Sequence, residues 1–204
     1  MKNEYKGLNW YYSKKVMKKT NITKKFYEFN KKFTALDISS IKGKKLKSWD
    51  SISKNYYYLH LILRHYKIIF DNKKFTKAHG DLTLDNVIFN AKKISIIDWE
   101  FFGAKPKLWG YDIAYLFLSS VSLPFIIKKK ISKHELYLFK KLWYQLKKIG
   151  ISKKILNNPY KYFENEIKKD PVLNSSKKIS KSKFFPFITP KKFKKIILRN
   201  INEN

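Results

Sequence analysis

His79-Gly80-Asp81-Leu82-Thr83-Leu84-Asp85-Asn86-Val87-Ile88, followed by Ile96-Ile97-Asp98-Trp99-Glu100, is the part of this 204-residue chain whose reading decides the fold. Residues 87–89 and 94–97 are short apolar runs separated by Asn90-Ala91-Lys92, a spacing that predicts a small β-hairpin. Asp81 then lies on the loop entering the first strand, and Asn86 stands at the far end of that loop. The return strand delivers Asp98 to the same end of the hairpin. Two carboxylates and an amide oxygen converge there. A Mg²⁺–nucleotide site needs that donor set, because a hard divalent cation takes one or two protein oxygens and fills its other positions with phosphate and water.

Working outward, residues 51–70 predict a helix with Tyr57, Leu61, Leu63 and Ile68 among its buried positions and Asp50 or Ser51 as its cap. Before it, residues 1–50 are lysine-rich. Trp10, Tyr11, Phe26, Tyr27 and Phe33 stand at irregular helical spacing that predicts one or two amphipathic helices, and Gly43 falls in a loop. After Gly110 a helix should run through Ile113, Ala114, Phe117 and Leu118. Residues 132–149 predict another, with Leu136, Phe139, Leu142, Trp143 and Leu146 three and four apart. Residues 151–168 read as helical in part, with Pro159 as a break or restart. Residues 170–182 read as a linker or loop, and 184–204 as ending in a short helix with a frayed tip. The expected division is a helical N-terminal segment (1–50), the main domain (51–170) and a basic C-terminal extension (171–204).

A formal net charge of +31 would ordinarily point to nucleic acid or an anionic membrane. The make-up of that charge argues otherwise. Arg64 and Arg199 are the only arginines, Ala is scarce, and Lys, Asn, Ile, Phe and Tyr abound. A/T-rich codons favour these residues, so compositional drift explains the charge better than a polyanion partner does. The arginine forks that read phosphates and bases are nearly absent, which makes nucleic acid the weaker reading. At 44% hydrophobic, with 16 Phe, 14 Tyr and 5 Trp, the chain can bury a core. The absence of cysteine excludes disulfides, Cys-based zinc sites and thiol nucleophiles. Residues 1–32 lack the apolar region of a signal peptide. The longest apolar stretch, residues 113–127, is short for a bilayer, contains Ser119, Ser120 and Ser122, and is broken by Pro124. A buried helix and no transmembrane segment are expected, and a cytoplasmic location by default.

HGD-x₄-N followed by a strand and DWE resembles the catalytic loop and metal-binding motif of aminoglycoside phosphotransferases and choline/ethanolamine kinases, relatives of the protein kinases. Glu100 and Gly110-Tyr111-Asp112-Ile113-Ala114 lean toward the choline kinase side. The resemblance covers residues 51–117 and extends loosely into the helices beyond. Five fixed residues (His79, Gly80, Asp81, Asn86, Asp98) give a chance match on the order of 10⁻⁴. The resemblance implies an α+β, protein-kinase-like fold, mainly the helical C-lobe with a small catalytic hairpin. It implies transfer of the γ-phosphoryl of ATP to a hydroxyl of a small molecule: an amino alcohol, a sugar or an aminoglycoside. Asp81 would orient the acceptor hydroxyl and receive its proton, while Asn86 and Asp98 would hold Mg²⁺ against the phosphates. His79 would pack behind the loop and Asp112 would anchor its backbone. Such catalysis is mostly positioning and charge neutralisation.

Other residues carry two readings each. Glu100 could serve a second cation or the substrate, or be a plain surface carboxylate. Asp85 reads as a solvated acid or local turn cap. Trp99 and Trp109 could line an acceptor pocket, with core packing preferred. His60 and His65 read as packed or solvent-facing, and His134 as exposed.

The same resemblance implies a nucleotide-gripping N-lobe of about a hundred residues with a glycine-rich loop and a strand lysine. Only 78 residues precede His79, and Gly7 and Gly43 are the only glycines before Gly80. Val16-Met17-Lys18 is a faint echo of the strand lysine. Three expectations follow: a truncated or split product whose N-lobe is separately encoded, a compact kinase that holds ATP mainly through the metal site, or an inactive pseudokinase. The non-enzymatic alternative is a lysine-rich polyanion-binding protein. Beyond Asp112 the main acids are Glu135, Glu164, Glu166 and Asp170, too thin a set to favour a polycationic antibiotic.

Overall fold

The computed structural model describes residues 2–14, 17, 24–29, 32–70, 75–91, 93–103, 106–169 and 189–202. In chain order the elements are α1 (Lys2–Tyr12), β1 (Lys24–Phe29), β2 (Lys32–Ile38), β3 (Lys44–Lys45), α2 (Ile52–Ile69), β4 (Phe75–Thr76), a 3₁₀ turn (Leu84–Asn86), β5 (Val87–Asn90) and β6 (Lys93–Ile96). There follow β7 (Lys107–Leu108), α3 (Tyr111–Lys128), α4 (Lys133–Lys148), α5 (Lys153–Leu156), α6 (Pro159–Lys169) and α7 (Lys191–Asn202). The fold is α+β, dominated by helix, with small antiparallel sheets ordered β1-β2, β3-β5-β6 and β4-β7.

Local chemistry explains the boundaries. The Ser51 hydroxyl accepts the Lys54 N–H and starts α2. Ser132 and Glu135 form a reciprocal capping box at the start of α4, so two otherwise orphaned N–H groups are satisfied. Pro159 opens α6, where a missing N–H costs nothing. The β5–β6 hairpin pairs Val87 with Ile96 and Asn90 with Lys93, turning through Ala91 at φ 52°.

Helix α3 is the centre of the molecule. It has no polar face: Ile113, Ala114, Leu116, Phe117 and Leu118 are all buried. By length and composition it could cross a membrane, with a hydropathy of 1.2, but 72% of it is buried inside the protein. Core packing accounts for its apolarity. Ser119 and Ser120 each donate back to the carbonyl three residues earlier, and Ser122 bonds Tyr160, so the buried hydroxyls are satisfied. Contrary to the expected break, the helix continues through Pro124 to Lys128.

Several other expectations are corrected. Phe26, Tyr27 and Phe33 lie on β1 and β2, not on helices. The runs KKFYEF and KFTALDI are rich in residues that suit a pleated strand, and that preference wins over an irregular helical spacing. Among the described residues of segment 1–50, Lys2–Tyr12 is the α-helix and the strands β1–β3 follow, so the segment is not simply a helical one. Gly43 leads into strand β3, which joins β5. On α2 Leu63 is buried as expected and Leu61 is half-buried, but the other two expected positions are not. Tyr57 and Ile68 are exposed, while Leu59, Ile62, Leu63, Tyr66 and Ile69 are buried. Val16 and Lys18, and the expected linker 170–182, lie outside the described residues, apart from Met17, which is buried.

The three expected segments share one core. It runs from Leu8 and Tyr11 on α1 to Phe193, Ile197 and Ile201 on α7. Helix α7 packs on α4, and Phe193 stacks on Phe125 with ring centroids 3.9 Å apart. Helix α7 is therefore part of the fold. Phe193→Ala should cost about 3–5 kcal/mol in urea unfolding, while Ile196→Ala on the exposed face should stay within about 0.5 kcal/mol. Equal small losses would make α7 an appendage after all.

Candidate functional site

The site is built on an anchor. Asp112, in the first turn of α3 and fully buried, accepts the His79 N–H at 2.9 Å and the Gly80 N–H at 3.0 Å, one on each oxygen. Burial pushes its carboxyl up to about 6, against those two hydrogen bonds and the nearby Lys107 cation, which favour the charged form. Lys107 is itself buried and pairs with Glu166 at 3.3 Å.

His79 adds a second tie. Its Nε2 lies 2.8 Å from the Ile97 carbonyl, which can only accept, so this nitrogen carries the proton. Nδ1 is then free to accept the Asp81 N–H at 3.4 Å. One neutral ring thus joins the loop before β5 to the end of β6. Burial lowers its pKa to about 4, which preserves the tautomer at neutral pH. Gly80 has φ +95°, and an added Cβ would lie 2.8 Å from Phe101 Cβ and 2.9 Å from its carbonyl oxygen. Both backbone conformation and space demand glycine.

Asn86 ends the 3₁₀ turn and donates Nδ2 to the Asp81 carbonyl at 2.9 Å. That bond fixes the amide orientation and turns Oδ1 to the other edge, as an acceptor. The Ile97 N–H donates to the Asn86 carbonyl at 3.0 Å, which sets the start of β5 beside the end of β6. Asp98 follows immediately. It is exposed and sits at φ 61°, a left-handed conformation that Asp tolerates better than most residues.

Asp81, Asn86 and Asp98 are therefore brought to one mouth of the hairpin. The Asp98 charge reaches Asp81, whose pKa is raised to about 7 by burial first, then by Asp98, Glu100 and Asp112, with a Tyr115 hydrogen bond opposing. Glu100 is exposed and belongs to the same electrostatic group. Trp99 points the other way, wholly buried, with Nε1 donating to the Ile96 carbonyl at 2.9 Å. It and the buried Trp109 belong to the core.

Among the described residues no group of three His, Cys, Asp or Glu is placed to hold a metal ion. The donor set is two carboxylates and an amide. It suits an oxygen-loving cation that completes its shell with a ligand's phosphates and water.

Four participants escaped the sequence reading. Tyr115, one helical turn beyond Asp112 on α3, hydrogen-bonds the Asp81 carboxylate; the i, i+3 spacing was a usable signal. Tyr11 on α1 accepts the Ile96 N–H at 3.1 Å, donates to the Ile94 carbonyl at 3.2 Å, and meets His65 Nε2 at 2.7 Å, capping the outer edge of β6. Glu4, also on α1, has a raised pKa, from burial first and then from Asp98 and Glu100, which places it beside the site. Asp85 is not a local cap. It accepts the Ser48 N–H and donates its own N–H to Ser48 Oγ, tying β3's flank to the loop. Nothing local in the sequence foretold these last three contacts.

A scan against family models, a search of curated proteins and a search of solved structures each found no match.

The raised Asp81 pKa has a consequence for stability. Between about pH 4 and pH 7 the folded chain keeps a proton that the unfolded chain has lost, so this residue makes stability fall as pH rises through that window. Asp81→Asn, measured without divalent cations, should stabilise the fold by about 1–3 kcal/mol at pH 8 and by almost nothing at pH 4. A variant less stable than the parent at pH 8 would contradict the electrostatics of the site.

Proposed function

We propose that this chain is an ATP-dependent phosphotransferase of the aminoglycoside phosphotransferase and choline kinase type, comprising mainly the helical, C-lobe-like half. The observation that carries the proposal is the convergence of Asp81, Asn86 and Asp98 at one end of the β5–β6 hairpin, on a loop clamped to α3 by Asp112.

Asn86 Oδ1 and the Asp98 carboxylate would hold Mg²⁺, which when bound neutralises phosphate charge. Asp81 orients the acceptor hydroxyl and takes its proton as the oxygen bonds the γ-phosphorus and the bond to the β-phosphate oxygen breaks. A carboxyl near pKa 7 suits that exchange at neutral pH. Tyr115 holds the carboxylate in place. The small-molecule acceptor carries a hydroxyl, and an amino alcohol or sugar fits the sparse acids better than a polycation does. Helix α1 covers the turn after Asp98: Gly7 lies where any Cβ would meet Trp99 Cβ at 2.5 Å.

Calorimetric titration with Mg·ATP at millimolar concentration tests this. The parent chain should bind, and Asp98→Ala and Asn86→Ala should each weaken binding at least about tenfold, that is 1.4 kcal/mol. Lys128→Ala, at the far end of α3, should not. A folded chain that gives no Mg²⁺-dependent heat would remove the activity from this chain alone.

A further inference from the structure

A second concave surface lies away from the hairpin, where α2, α4 and α7 meet. It is a cleft of about 780 Å³ lined, among the described residues, by Tyr56, Tyr137, Tyr144, Lys140, Lys141 and Lys147, with Trp143 and Ile201 among its other lining residues. No acid lines it. Tyr137 and Tyr144 are 52% and 54% exposed.

Their arrangement repeats. Tyr137 carries Lys141 over its ring at 4.5 Å, and Tyr144 carries Lys148 at 4.9 Å. The two tyrosines are seven residues apart on α4, hence on one face and about 10 Å apart along the axis. Each unit is an aromatic ring with a cation over one face. Lys140 adds a further ammonium at the cleft, while Lys147 is turned to the Ile201 carbonyl at 3.4 Å.

We propose that this cleft binds single-stranded nucleic acid without sequence preference, bases stacking on Tyr137 and Tyr144 and phosphates meeting the flanking lysines. Compositional drift explains abundant Lys and Tyr, but it does not set two Tyr–Lys pairs seven residues apart along one helix face beside a cleft. The repeat favours a polymer over a single nucleotide. The lack of arginine forks, which counts against base reading, is compatible with stacking alone. The proposal is independent of the phosphotransferase reading, since none of its residues belongs to the hairpin site.

Fluorescence polarisation with a labelled 12-nucleotide oligo-dT at about 0.15 M salt tests it. The double variant Tyr137→Ala/Tyr144→Ala should weaken binding at least about tenfold. Lys128→Gln/Lys129→Gln/Lys130→Gln, outside the cleft, should change it less than about threefold, and Asp98→Ala not at all. A 12-mer of mixed sequence should bind comparably, and a duplex more weakly. Both tyrosines are exposed, so the double variant should keep its folded circular dichroism spectrum. Thermal melting of both variants checks that the comparison is between folded chains. Equal losses from the tyrosine and the distant lysine variants would overturn the proposal in favour of surface charge alone. Competition by a mononucleotide at the oligomer's own concentration would overturn it in favour of a small-ligand pocket.

Discussion

A buried carboxylate that gives each of its oxygens to a consecutive backbone N–H fixes the position of everything around it. Asp112 does this for His79 and Gly80. The interaction joins the most apolar helix of the core to the most polar loop. The carboxylate has no water to turn to, and neither N–H would find another partner if it were removed. From that clamp the geometry propagates by short steps. The His79 ring ties the loop to the end of β6, the Asn86 amide closes the loop on Asp81, and Ile97 pairs β6 with Asn86. Asp98 is then positioned by three fixed neighbours instead of by its own contacts.

The electrostatics of the site oppose those of the chain. With 46 basic and 15 acidic residues, the protein presents a strongly positive field. Glu4, Asp81, Asp98, Glu100 and Asp112 nevertheless act on one another within a single region. Their repulsion, together with desolvation, raises Asp81 toward neutrality and costs stability that a divalent cation would return. A net charge of +31 would attract polyanions at long range, more weakly as salt rises. Under the proposed phosphotransferase reading, a phosphate-bearing substrate would gain from both features: local carboxylates for a cation and a distant positive field for the anion it accompanies.

The legible parts of the sequence were those set by local rules. The β5–β6 hairpin, the starts of α2 and α4 at Ser51 and Ser132, and the restart at Pro159 follow from alternation, capping and proline geometry. The convergence of Asp81, Asn86 and Asp98 was legible because the hairpin between them is short. Illegible were contacts between distant segments. Tyr11 reaches β6 across 85 residues and Ser48 reaches Asp85 across 37, and no spacing rule addresses either. The strands at 24–29 and 32–38 were missed because neither KKFYEF nor KFTALDI alternates apolar with polar residues throughout, and the buried face of α2 because a ring-rich helix has apolar residues on both sides. Helix α7 looked like a tail by charge, yet its Phe193, Ile197 and Ile201 stripe is a clean i, i+4, i+8 pattern that belongs to the core.

The most direct measurement of the central claim is a crystal of the chain grown with Mn²⁺ and a non-hydrolysable ATP analogue, read by anomalous scattering. The account predicts one strong anomalous peak at the Asp98 carboxylate and Asn86 Oδ1, the two groups that would hold the metal. A nucleotide bound with its metal elsewhere, leaving those two oxygens to water, would contradict it.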